Sequence, residues 1–123
     1  MIKDVLIVED DPELRTLLVR FLFGSEFRVT EAATIKDALE MVQQNNSFDV
    51  FVLDFWLGGQ SALPILDHIS QYNSSALKVL ISGGDGSLTL EATKAIGELS
   101  GAVRFLQKPF SKADFLTALS TDF

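Results

Sequence analysis

Apolar blocks of four or five residues alternate with amphipathic stretches along this whole chain, and that alternation leaves few folds open to it. Val5-Leu6-Ile7-Val8 is the first block, and it stops at Glu9-Asp10-Asp11-Pro12. Beyond it, Leu14, Leu17, Leu18, Phe21 and Leu22 fall at i, i+3, i+4, i+7 and i+8, one apolar stripe of a helix. Asp11 suits the N-cap, Pro12 the first helical position and Gly24 the stop. Phe27-Arg28-Val29-Thr30 alternates as a half-exposed strand does. Thr34-Ile35-Lys36-Asp37 has the form of a capping box, opening a helix through Ile35, Ala38, Leu39 and Val42. Val50-Phe51-Val52-Leu53 is an unbroken strand ending at Asp54. A Gly58-Gly59 turn follows, and Ser61 is expected to open a helix carrying Leu63, Leu66 and Ile69, with Pro64 in its first turn. Leu77 to Ile81 is a third strong strand, ended by Ser82-Gly83-Gly84. A helix over about Leu88 to Leu99 and a strand at Val103-Arg104-Phe105-Leu106 come next. A second capping box, Ser111-Lys112-Ala113-Asp114, opens a final helix with Phe115, Leu116 and Leu119.

Five strands separated by helices spell α/β: a (βα)5, doubly wound, flavodoxin-like parallel five-stranded sheet with right-handed crossovers and helices on both faces. The strands at 5–8, 50–53 and 77–81 are continuously apolar and belong in the centre, while those at 27–30 and 103–106 each carry an arginine and suit the edges. That gives the order 2-1-3-4-5, with a switch point between strands 1 and 3 at their carboxyl ends, where ligands of such sheets bind. Residues 1–123 read as a single domain, with no linker, low-complexity tract or repeat. A composition 47% hydrophobic and 22% charged is globular, and the absence of cysteine excludes disulfides and thiolate metal sites. Ten basic against 17 acidic residues give a net charge of −7, which argues against direct binding to nucleic acid. No apolar run approaches the ~20 residues needed to cross a bilayer, and no signal-peptide pattern follows Met1, so a cytoplasmic protein without membrane contact is expected.

The strand ends deliver a particular set of groups to the switch point. Strand 1 brings Glu9, Asp10 and Asp11; strand 3 brings Asp54; strand 4 brings Ser82; strand 5 brings Lys108, followed by Pro109. Two like charges at 4 Å repel by about 4 kcal/mol at an effective dielectric of 20, so the three mutual pairs among Glu9, Asp10 and Asp54 would cost on the order of 10 kcal/mol. One lysine does not offset that. Either some carboxylates are protonated or stand further apart, or a divalent cation sits among them. An open, all-oxygen site suits Mg2+ (or Mn2+), which takes one or two carboxylates, keeps waters and completes its shell with a phosphoryl oxygen. Asp54 then has the role of a carboxylate nucleophile toward phosphorus, with Lys108 and the Ser82 hydroxyl facing the transferring group. Taken singly, each feature is also explained by a helix cap, a turn or a strand exit. Their convergence on one crevice favours the chemical reading.

Together, Ile7-Val8-Glu9-Asp10-Asp11-Pro12, Leu53-Asp54, Ile81-Ser82-Gly83 and Lys108-Pro109-Phe110 resemble the receiver domain of two-component response regulators, over essentially the whole chain. The resemblance implies that Asp54 is the phosphoacceptor and that Glu9 and Asp10 are the acidic pair. It places Mg2+ on Asp10, Asp54 and the backbone carbonyl of Trp56. Ser82 and Phe105 become the switch residues, Lys108 the partner of the phosphoryl group, and the Lys108–Pro109 peptide cis. It further implies a sensor histidine kinase or histidine phosphotransfer protein as phosphodonor, and an output domain or target protein read through the fourth helix, fifth strand and fifth helix, roughly Leu88 to Leu119. A receiver catalyses its own phosphorylation and dephosphorylation but serves mainly as a signalling protein. On family grounds a homodimer through those last elements and a monomer are both expected forms.

Some positions depart from the family pattern. Leu57-Gly58 stands where many members have Met-Pro, Ala62 where glycine is common, and Ser82 in place of threonine. Trp56, two residues beyond Asp54, is placed to shield an aspartyl phosphate from water, or else to face solvent or a partner. Among other classes, a flavodoxin-like redox protein is disfavoured because Glu9-Asp10-Asp11 would repel a flavin phosphate. An aspartate-nucleophile phosphatase is disfavoured because Asp54-Phe55-Trp56 lacks its second aspartate. A phosphorylation-independent pseudo-receiver binding module is the remaining alternative, although such modules typically lose one of the groups that are all present here. His68, the sole histidine, reads as a solvated helix position, and Phe23, Phe55 and Phe123 as candidates for a partner-binding patch.

Overall fold

The computed structural model describes residues 2–82 and 103–120. Its elements in chain order are β1 (Lys3–Val8), α1 (Pro12–Phe21), β2 (Phe27–Ala32), α2 (Ile35–Gln44), β3 (Val50–Asp54), the two-residue strands β4 (Trp56–Leu57) and β5 (Gln60–Ser61), α3 (Leu63–Tyr72), β6 (Leu77–Ser82), β7 (Val103–Gln107) and a C-terminal helix, Lys112–Leu119. The expected helix over 88–99 lies outside the described residues, as does Phe123. Five strands form one parallel sheet in the order β2-β1-β3-β6-β7. With the short β4–β5 hairpin set aside, that is the doubly wound order 2-1-3-4-5.

Period-two alternation along the central strands sorts their side chains into two apolar layers. Leu6, Val8, Phe51, Leu53 and Leu80 face α2 and α3, where Ala38, Val42, Ile65, Leu66 and Ile69 cover them. Val5, Ile7, Val50, Val52, Val79 and Ile81 face the other way, under Leu18 and Leu22 of the α1 segment and Phe115 and Leu119 of the C-terminal helix. The edge arginines find local partners. Arg28 clamps both carboxylate oxygens of Asp4, and Arg104 donates to the carbonyls of Thr117, Ala118 and Ser120 at the end of the last helix.

Most helix starts follow from local chemistry. The Asp11 side chain accepts from the Glu13 amide at 3.0 Å with Pro12 in the first turn, and Thr34 accepts from the Asp37 amide at 3.1 Å. Ser111 and Asp114 complete a reciprocal capping box. Helix α3 differs from expectation. Its N-cap is Ala62, with no side-chain cap, and Ser61 is instead the last residue of β5. The cause is the turn before it: Gly58 and Gly59 both take positive φ, 55° and 81°, as a two-residue hairpin requires. That turn sets Leu57 opposite Gln60 and Trp56 opposite Ser61. One phenylalanine assignment changes as well. Phe55 is 1% exposed and belongs to the α2–α3 core layer, so it is no part of a surface patch, whereas Phe23 is 92% exposed. His68 is half-buried, its ring 4.6 Å from that of Tyr72 and its Nε2 3.4 Å from Asn46 Oδ1.

Candidate functional site at the carboxyl edge of the sheet

Register brings the site together. Val8 pairs with Leu53, so the next residues on each strand, Glu9 and Asp54, emerge side by side at the switch point. The Glu9 amide extends the ladder by donating to the Ala32 carbonyl at 3.1 Å, which fixes its backbone, and its side chain is 1% exposed. Asp54 closes β3 and is 7% exposed. The Lys108 amide donates to the Ser82 carbonyl at 3.1 Å, continuing the β6–β7 pairing, and the Lys108–Pro109 peptide is cis.

Lys108 Nζ lies 2.8 Å from Asp54 Oδ2 and 3.5 Å from Glu9 Oε1. The Trp56 amide donates to the other Asp54 oxygen, Oδ1, at 3.0 Å. Asp10 is exposed, and its Oδ2 accepts from the Gly58 amide at 3.0 Å. One carboxylate oxygen from each of Glu9, Asp10 and Asp54 falls within 4.8 Å of the others. Ser82 ends β6 beside the end of β3, where Asp54 pairs with Ile81. Phe105 lies on β7 opposite Leu80, 55% exposed and three residues before Lys108. The indole of Trp56 is 43% exposed and packs edge-on against Phe55, with ring centroids 5.3 Å apart. A cavity of about 230 Å³, lined in part by Asp10, Thr34, Gly58 and Gln60, opens beside the cluster.

Three carboxylates and one ammonium leave an excess of negative charge, which favours a proton on one of the carboxyls. Burial, then the hydrogen bond to and the charge of Asp54, push the Glu9 carboxyl up to about 8 against the pull of Lys108. Burial alone would lower the Lys108 ammonium, but Asp54 and Glu9 together hold it above its ordinary value. Among the described residues no N–H or O–H donor reaches the buried Glu9 Oε2, so with the carboxyls ionised that oxygen is unsatisfied. An orphaned carboxylate oxygen costs desolvation energy that a protein group or a bound ion normally offsets. The donors around it are all hard oxygens, so the residues present fit a divalent cation of the Mg2+ type.

Two contributors were not legible in the sequence. Arg15 Nη1 donates to the Glu9 carbonyl at 2.8 Å while Arg15 Nε stands 3.3 Å from Glu31, so α1 buttresses the backbone of the acidic pair. Gly58 holds Asp10 across 48 residues of chain. The Gly-Gly pair signals the turn, but nothing in it signals where its amide points.

A buried, lysine-paired strand-end aspartate beside an acidic pair, at the switch point of a doubly wound sheet, defines a class of charged-crevice α/β domain. The chain belongs to the response regulator receiver domain family of two-component systems, whose family model matches residues 5–120. It is 32% identical over 117 residues to the regulatory protein VirG of Rhizobium rhizogenes, an alignment that covers 95% of this chain and 46% of that protein. It is 34% identical over 110 residues to YrkP of Bacillus subtilis, described as an uncharacterized transcriptional regulatory protein, covering 89% of this chain and 45% of that one. The chain thus spans about half the length of these curated relatives. A response regulator receiver protein from Sinorhizobium medicae shares the fold, with a TM-score of 0.81 at 22% identity over 96% of this chain and 91% of that one. Among the described residues no helix is long and apolar enough to cross a membrane.

Proposed function

We propose that this receiver domain accepts a phosphoryl group from a phosphohistidine onto Asp54 and, in doing so, switches a surface read by an output domain or target protein. The observation that carries the reading is the Asp54 carboxylate, ion-paired to Lys108 at 2.8 Å and grouped with Glu9 and Asp10, where no donor among the described residues reaches the buried Glu9 Oε2. Asp10, Asp54, the Trp56 backbone carbonyl and Glu9, the last directly or through water, would hold Mg2+. When bound, the ion neutralises charge on the transferring phosphoryl group.

An Asp54 oxygen forms the new P–O bond as the P–N bond to the donor imidazole breaks, and the imidazole keeps the bonding pair and takes up a proton. Lys108, held as the ammonium, then faces a phosphoryl oxygen instead of the Asp54 carboxylate. Ser82 donates its hydroxyl to a second phosphoryl oxygen, and Phe105, exposed on the edge strand, turns inward as Ser82 moves. A sensor histidine kinase or histidine phosphotransfer protein is the donor class, and the greater length of the curated relatives fits an output domain on the same polypeptide.

Intact mass after incubation with acetyl phosphate and Mg2+ tests the reading. One phosphoryl adduct is expected in the wild type and none in Asp54→Asn or with EDTA. A folded, Mg2+-binding protein that forms no adduct would leave the phosphorylation-independent binding module as the function.

A further inference from the structure

We infer that Gly58 is a positioning residue of this site: its backbone N–H clamps the Asp10 carboxylate beside Glu9 and Asp54, ready for the proposed cation, and a proline at this position would have no N–H to do so. The donor–acceptor distance from the Gly58 amide to Asp10 Oδ2 is 3.0 Å. Proline has no N–H, so a chain with the commoner residue at this position has no such bond to offer. Proline is also fixed near a φ of about −65°, whereas Gly58 sits at +55° and Gly59 at +81°. The same replacement therefore supplies both the hairpin and the donor.

The consequence follows from how the site is populated. Asp10 is the exposed member of the acidic cluster, while Glu9 and Asp54 are buried and held by their surroundings. An exposed aspartate samples several rotamers, and each loss of alignment subtracts from metal affinity. With Oδ2 held by Gly58, the Asp10 carboxylate is set in one orientation beside Glu9 and Asp54. Groups that orient a metal ligand in this way change affinity by about tenfold or more when removed. The hairpin also carries the Trp56 amide that fixes Asp54 Oδ1, so one turn aligns two of the three carboxylates from the same side. This role in Mg2+ binding rests on the cation site proposed above.

The test separates the clamp from the cation site. A Cβ at position 58 meets nothing within 4 Å, so Gly58→Ala meets no clash at that atom and acts through φ. Gly58→Asn keeps the N–H and tolerates positive φ. Gly58→Ala keeps the N–H but resists that φ, and Gly58→Pro loses both. Mg2+ titrations read by the fluorescence of Trp56, the sole tryptophan, are expected to give wild-type affinity for Gly58→Asn. Gly58→Ala should bind more weakly and Gly58→Pro about tenfold more weakly. Thermal melting in EDTA checks that each variant is folded. In the metal-free wild type the Gly58 amide should exchange slowly with solvent, and Asp10→Ala should release it. Wild-type Mg2+ affinity in a folded Gly58→Pro would overturn the clamp, and so, whether or not that variant folds, would a Gly58 amide whose exchange is the same in wild type and Asp10→Ala. A wild type that fails to bind Mg2+ while its Gly58 amide stays protected would instead overturn the cation site, and with it the role assigned to Gly58.

Discussion

At the amino end of the sheet, both oxygens of Asp4 are held by Arg28, its amide donates to Asp49 Oδ2 at 2.8 Å, and its carbonyl accepts from the Asp49 amide at 2.8 Å. At the carboxyl end, Glu9 is more deeply buried, yet among the described residues no donor reaches one of its oxygens and the other is 3.5 Å from Lys108. Arg28 keeps Asp4 ionised more readily than usual, whereas burial and neighbouring carboxylates push Glu9 up to about 8. The difference lies in what each cluster lacks. The amino end is complete in protein groups alone. The carboxyl end has more acceptor capacity than the described protein groups satisfy, which is what the proposed site for a cation and a phosphoryl group requires.

The largest effect expected from this contrast is on pH dependence. In metal-free protein the folded-state value of Glu9, about 8, exceeds its ordinary value of 4.5. Between those values the native state holds a proton that the unfolded chain has released, so stability is fully present below about pH 4.5 and is lost as pH rises through 8. The loss should reach a few kcal/mol at most in urea denaturation, and Glu9→Gln should flatten the curve. A metal-free wild type whose stability rises over that range would contradict the assignment. Next in size, Lys108→Met removes the cation that pairs with Asp54 and Glu9. It should cost about 1–3 kcal/mol in EDTA, and an unchanged urea midpoint would break the link between Lys108 and the cluster. Trp56→Asn leaves the fold intact, because the indole is half-exposed, but should shorten the lifetime of the phosphoryl group several-fold; equal dephosphorylation rates would sink the shielding role. The smallest effect belongs to the amino end. Asp4→Asn disturbs an exposed pair with Arg28 and should leave both the melting temperature and the Mg2+ response close to wild type.

Most of this fold was legible because its signals are local. The strands that read as continuously apolar are buried on both faces, and Asp11, Thr34 and Ser111 cap the helices that follow them. The reading slipped where a long-range or backbone feature decided the outcome. Ser61 reads as a cap, but the Gly58-Gly59 turn draws it into a hairpin opposite Trp56. Phe55 looks unplaced in sequence, because burial beyond the end of β3 depends on how the following loop folds back over the sheet; the Ala62 amide donates to the Phe55 carbonyl at 2.8 Å. At the site, Glu9, Asp10, Asp54 and Lys108 converge as their places at the strand ends imply. Which carboxyl would hold the extra proton was not legible, since Glu9 and Asp10 differ mainly in burial. Nor was the direction of a glycine amide.

Thermal melting with and without Mg2+, at pH 6 and pH 8, tests most directly the claim that the carboxyl end is completed by a cation. Protons and metal compete for Glu9, so Mg2+ should raise the melting temperature by several degrees at pH 8, by less at pH 6, and not at all in Asp10→Asn. Melting temperatures indifferent to Mg2+ at both pH values would contradict it.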